Sequence, residues 1–166
     1  VYLPNNPVTR EQMATFLYRE AGSFPIDSTW SLPFVDVPAS NGFREYIRWL
    51  VHTGITSGTD TTHYSPKKSV TRGQMVAFLY ALAGRPAIAD PSVNFKDVTG
   101  NPFITQIAWA SKIGITSGYE CTAKGKPVKQ CTKKGDTVFQ PSRSVTRSQM
   151  ATFLMRFLDK GEYSGS

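Results

Sequence analysis

No stretch of about eighteen consecutive apolar residues occurs, so no membrane-spanning helix and no membrane insertion are predicted. Titratable ligands are scarce as well: two histidines and two cysteines in 166 residues. His52 and His63 match no ligand spacing and are assigned no role. There is no His-Glu-x-x-His, no phosphate-binding loop, no nucleophile elbow and no telling pair of carboxylates. No catalytic residue, cofactor or metal site is therefore predicted. Acidic residues are outnumbered, 12 against 19 Lys and Arg, leaving a formal charge of +7. That surplus implies an acidic partner such as a nucleic acid, an anionic polysaccharide or a membrane surface. A nucleic acid is set aside because the basic residues concentrate in one loop without interleaved aromatics. The sequence has neither an initiating Met nor a secretion signal and opens inside a repeat, so it is read as a piece of a longer secreted polypeptide. With 40% hydrophobic and 19% charged residues the composition is globular, and the length suits one domain over 1–166.

What is present is repetition. Val-Thr-Arg-x-Gln-Met occurs at Val8–Met13, Val70–Met75 and Val145–Met150, each time after aromatic-x-Pro (Tyr2-Leu3-Pro4, Tyr64-Ser65-Pro66, Phe139-Gln140-Pro141) and before an apolar helical stripe. A periodic motif of this kind defines a repeat architecture. The hexamer reads as a helix start. Thr9, Thr71 and Thr146 are N-caps, and Gln12, Gln74 and Gln149 at N3 complete capping boxes. Val8, Val70 and Val145 stand at N′ with Met13, Met75 and Met150 at N4, the spacing of a hydrophobic staple. The arginine is the exception. Arg10, Arg72 and Arg147 occupy N1, where the helix dipole disfavours a cation by a few tenths to about 1 kcal/mol. Its repeated use points to a partner, either a carboxylate inside the fold or an anionic ligand, and a guanidinium fork suits both.

Further landmarks recur between the hexamers. Phe34-Val35-Asp36-Val37 returns as Phe95-Lys96-Asp97-Val98, and Gly54-Ile55-Thr56-Ser57-Gly58 returns letter for letter as Gly114-Ile115-Thr116-Ser117-Gly118. A helix is predicted from about Gly42 to Thr53 with Ile47, Leu50 and Val51 inward, and its counterpart carries Ile107, Ala108, Trp109, Ala110 and Ile113. The hexamer helices bury Met13, Phe16, Leu17 and Ala21, then Met75, Phe78, Leu79 and Leu82, then Met150, Phe153, Leu154, Phe157 and Leu158. The chain thus divides into a half repeat over 1–22 containing only the second helix, a full repeat over 34–84, and a full repeat over 95–160. The last carries an insertion over 119–138, rich in lysine (Lys124, Lys126, Lys129, Lys133, Lys134) and containing Cys121 and Cys131. Those cysteines lack companion ligands and are read as a disulfide, which implies an oxidising exterior. The tail 161–166 is predicted to fray. Short helices bury their stripes only against one another, so the expected fold is all-α, with helix-loop-helix repeats packed as an open solenoid or a closed trefoil.

Phe-x-Asp-Val, a helix with Ile-x-Trp, Gly-Ile-x-x-Gly, aromatic-x-Pro and Val-Thr-Arg-x-Gln-Met, in that order, resemble the S-layer homology repeats, with the glutamine, the methionine and the cysteine pair closest to the actinobacterial branch. The resemblance implies a pseudo-threefold helical domain that anchors secreted proteins to the cell wall by binding secondary cell-wall polysaccharide, an anionic and often pyruvylated glycan, in grooves between repeats. It makes Arg10, Arg72, Arg147, Asp36, Asp97, Trp49 and Trp109 candidate ligand-binding residues, and its glycine turn maps onto Gly54, Gly58, Gly114 and Gly118. Gln stands where the family usually has Glu, and the first half of the first repeat is absent. Local readings stay open beside these: the aspartates as caps or arginine partners, the tryptophans as core, Gly54 and Gly114 as helix stops. Gly58 and Gly118, without such a local reason, are candidates for close ligand approach. Trp49 and Trp109 fall two residues after Ile47 and Ile107, off the apolar stripe, and are placed on a groove wall. The alternative to a wall anchor is a protein-interaction or spacer module of the same fold without glycan binding.

Overall fold

The structure, a computed structural model, describes residues 3–160; Tyr2 of the first aromatic-x-Pro and the tail expected to fray lie outside the described residues. Five helices form: α1 Arg10–Glu20, α2 Arg44–His52, α3 Arg72–Leu82, α4 Ile104–Lys112 and α5 Arg147–Asp159. The fold is all-α as expected, apart from a two-residue ribbon in the insertion, β1 Tyr119–Glu120 and β2 Thr137–Val138, paired antiparallel with Tyr119 opposite Val138. Periodicity gives no signal for strands this short. They arise because the insertion must return its ends to one place, and residue 95 bridges to Thr137 alongside.

All three hexamers start helices by the same means. The Thr9, Thr71 and Thr146 side chains accept from the N3 amide, and each N3 glutamine accepts from the cap amide. Such a cap contributes on the order of 1 kcal/mol. The N1 and N2 amides find acceptors in the neighbouring copy. Arg10 N and Glu11 N donate to Lys68 O and Pro66 O, Arg72 N and Gly73 N to Arg143 O and Pro141 O, and Arg147 N and Ser148 N to Asn6 O and Pro4 O.

These bonds run in a circle, and the centre closes it. Val8 N donates to Val145 O at 2.9 Å, Val145 N to Val70 O at 2.9 Å and Val70 N to Val8 O at 2.8 Å, with all three valines fully buried. An open solenoid has no bond from the last copy to the first, so the repeats form a closed pseudo-threefold trefoil. Around this centre α1 packs on α2 and α3 on α4: the hexamer helix of one repeat meets the first helix of the next. The first helices begin differently, with Asn41 and Asn101 side chains accepting from Phe43 N and Phe103 N.

The buried stripes follow the expected spacing, with two differences. Leu158 is 45% exposed, on the outer face of α5. Trp49 and Trp109 are 4% exposed and belong to the core, which corrects their placement on a groove wall. α2 and α4 each bury four consecutive residues, 47–50 and 107–110, because each is sandwiched between its own repeat and the preceding hexamer helix, so the apolar face is wider than one stripe. There Trp49 meets the Tyr18 ring edge-on at 5.5 Å and Trp109 meets Tyr80 at 5.4 Å.

Cys121 and Cys131 are joined, Cα to Cα 5.7 Å, and both are buried beside Val138 in a small cluster of their own. Closing a loop of this size contributes about 2–3 kcal/mol in the chain-entropy account. Urea unfolding with and without reductant is expected to show a loss of that size, and coincident curves would contradict it.

Candidate functional site

Two of the N1 arginines, Arg10 and Arg72, turn back over the next aromatic-x-Pro segment. Arg10 Nε donates to Tyr64 O at 2.7 Å and Arg72 Nε to Phe139 O at 2.7 Å. Each guanidinium lies on the ring of the same residue, 4.6 Å from its centroid in both copies. For Arg10 and Arg72 the fold supplies a backbone carbonyl and an aromatic face, and among the described residues neither forms an ion pair with a carboxylate.

The aspartates hold the other side of that peptide. Asp36 accepts from Tyr64 N at 2.9 Å and Ser65 N at 2.7 Å, and Asp97 from Phe139 N at 2.8 Å and Gln140 N at 2.7 Å. Carboxylate, aromatic peptide and guanidinium thus form a relay in which the charges act on each other across one peptide unit. Burial still dominates: it lowers the Arg10 pKa from the usual guanidinium range, partly opposed by Tyr64 and Asp36. Arg72 is lowered for the same reason.

Two grooves open onto these arginines. The first, about 380 Å³, is lined by Arg10, the Ile55-Thr56-Ser57-Gly58-Thr59 turn, Lys68, Gln74, Ala77, Phe78 and Phe103. The second, about 210 Å³, is lined by Arg72, the Ile115-Thr116-Ser117-Gly118-Tyr119 turn, Gln149, Thr152, Phe153 and Arg156. They are the same site built twice: an arginine from one hexamer, the glycine turn of the next repeat, and the glutamine and aromatic of the next hexamer helix. No carboxylate lines either groove among the described residues. Arg10 is 3% exposed and its Nη2 is buried without a partner. A buried donor on a charged group, left unsatisfied, is costly and uncommon.

The expected site residues divide on this geometry. Arg10, Arg72, Gly58 and Gly118 come together in the two grooves. Arg147 is half-buried and lines neither, since no third Gly-Ile-Thr-Ser-Gly segment is present. Asp36 and Asp97 line other clefts, behind the aromatic peptide. The lysines of the insertion are exposed. Gly58 and Gly118 do have a packing reason, contrary to the sequence reading. Their φ angles are +92° and +72°, and a Cβ would come within 2.5 Å of the Phe34 ring and 2.4 Å of the Phe95 ring. The phenylalanine of Phe-x-Asp-Val fills the space that a side chain there would need.

Gln74, Gln149, Phe78, Phe153 and Tyr119 were not expected at the site. The glutamines were explained by helix capping, and the phenylalanines by the apolar stripe. The letter-for-letter Ile-Thr-Ser was the one available signal, although Ile115 and Thr116 are buried and the Thr56 and Thr116 hydroxyls accept from the glycine amides, so part of that repetition serves the turn itself.

Residues 33–76 match the S-layer homology domain family. Curated relatives include an S-layer protein of Bacillus thuringiensis subsp. finitimus, 27% identical over 74% of this chain and 13% of that protein. An endoglucanase of Bacillus sp. (strain KSM-635) is 32% identical over 76% of this chain and 12% of its own length. A cellulosome-anchoring protein of Acetivibrio thermocellus is 27% identical over 80% of this chain and 26% of its own length. The chain thus spans between about an eighth and a quarter of these relatives.

Proposed function

We propose that this chain, which carries an S-layer homology domain, is a non-catalytic module that holds a larger extracellular polypeptide at the cell wall by binding an anionic wall polysaccharide in the grooves between its repeats. The observation that carries the reading is Arg10: a residue 3% exposed that lines a groove without carboxylates and whose guanidinium, beyond Nε, has no hydrogen-bond partner among the described residues. Such a site has an attraction for a sugar acid that the chain itself leaves unmet. The relatives support the anchoring part. An S-layer protein, an endoglucanase and a cellulosome-anchoring protein differ in what they are named for and share this segment. A shared minor fraction of each is better suited to attachment than to any one activity, and it agrees with an extracellular, wall-associated location. A pyruvate ketal on the glycan would present the carboxylate that the guanidinium fork suits.

Co-sedimentation with purified wall sacculi tests this directly. Binding is expected to native walls, to be lost after extraction of their acidic polysaccharide, and to weaken as salt rises from low to molar concentration, because the surplus charge of +7 and the exposed Lys68 at the groove are screened. Equal binding to extracted walls, or binding indifferent to salt, would overturn it in favour of a module that contacts protein.

A further inference from the structure

We propose that Tyr119 is a built-in occupant of the Arg72 groove, so that of the two grooves only the Arg10 groove takes a ligand; this rests on the reading of the grooves as sites for an acidic sugar. In the Arg72 groove the Tyr119 hydroxyl oxygen accepts from Arg72 Nη1 at 3.2 Å and from Gln149 Nε2 at 3.1 Å, and the guanidinium lies 4.7 Å from the centre of the Tyr119 ring. One oxygen thus receives Arg72 Nη1 and Gln149 Nε2 together, while Arg156, the other arginine of the lining, donates to Ile115 O. The amide orientation of Gln149 is fixed by its cap, since Oε1 accepts from Thr146 N, leaving Nε2 to point outward.

The Arg10 groove has the same two donors and no such oxygen. Gln74 Oε1 accepts from Thr71 N, so Nε2 is left to the groove, and neither it nor Arg10 Nη1, the counterpart of the Arg72 atom that meets Tyr119, has a hydrogen-bond partner among the described residues. The residue that follows the glycine turn here is Thr59, whose hydroxyl is turned into its own loop, to His63 O and the Ser65 hydroxyl. The difference comes from the insertion. Tyr119 opens β1, and Cys121, two residues on, is tied to Cys131 while its amide donates to Asp136 O. The ring is thereby fixed over Arg72, and the cavity is about 210 Å³ against about 380 Å³. Ligand pockets usually begin at about 300 Å³.

The arrangement also gives a use to glutamine where the family has glutamate. Either residue completes the capping box. Only the amide adds a donor to the groove.

The test follows the arginine Nε–Hε signals by NMR while glucuronate is added as the probe. In the parent protein the Arg10 signal is expected to move and the Arg72 signal to stay. In Tyr119→Thr, which copies the other groove, both are expected to move, with Tyr119→Ala as the substitute should the threonine variant lose its dispersed spectrum. Gln74→Glu keeps the cap and is expected to weaken the Arg10 response at least tenfold. Arg72 responding in the parent as strongly as Arg10, or staying silent after Tyr119 is replaced, would overturn the occupancy. Silence of both arginines in every variant would overturn instead the acidic-sugar reading on which it rests.

Discussion

Asp97→Ala is expected to destabilise the fold by about 3 kcal/mol without touching the grooves. The carboxylate accepts from two consecutive amides, Phe139 N at 2.8 Å and Gln140 N at 2.7 Å. Hydrogen bonds to a charged group contribute roughly 1.5–3 kcal/mol each, and two on one peptide segment add incompletely. The peptide they hold is the one whose carbonyl receives Arg72 Nε, and Phe139 itself is fully buried. Removing the acid leaves two amides to find water in a segment that ties one repeat to the next. Asp97→Asn retains one acceptor and turns an NH₂ group toward the other amide, so it should fall between the parent and the alanine variant. Urea unfolding of the three proteins decides the matter. A midpoint shift of that size in Asp97→Ala makes the residue a brace for the site; an unchanged midpoint with weakened wall binding would return it to the role of direct ligand contact.

The aspartates illustrate what the sequence could and could not disclose. Helix starts were legible because capping is local: threonine and glutamine three residues apart meet within one turn, whatever surrounds them. The circular closure could be anticipated only through the family resemblance, since the hydrogen bonds among Val8, Val70 and Val145 join residues far apart in the chain. The arginine at N1 was marked as needing a carboxylate or an anionic ligand, and for Arg10 and Arg72 the fold supplies something else. That partner, a carbonyl and a ring supplied by the next aromatic-x-Pro, cannot be told from a carboxylate by local spacing. Trp49 and Trp109 misled for a related reason. A stripe of one helix assumes a single buried side, whereas α2 and α4 are covered on more than one. The glycine turn was noticed, but its constraint comes in large part from Phe34 and Phe95, well upstream in sequence, together with the carbonyls of Asp60, His63 and Val138.

The same separation of local from distant contacts governs Arg10. Its Nε and ring contacts belong to the fold, and losing them should lower stability by about 1–2 kcal/mol, the scale of one hydrogen bond and one cation–π contact. Its guanidinium also lines the groove, and Nη1, the counterpart of the Arg72 atom that meets Tyr119, has no partner among the described residues; a charge-assisted bond there contributes roughly 1.5–3 kcal/mol to binding. The most direct measurement is the affinity of Arg10→Gln for purified acidic wall polysaccharide, by titration calorimetry at low salt and at a temperature where its melt shows the protein folded. The account predicts a loss of roughly ten- to a hundredfold; a folded Arg10→Gln that binds the polysaccharide as tightly as the parent would contradict it.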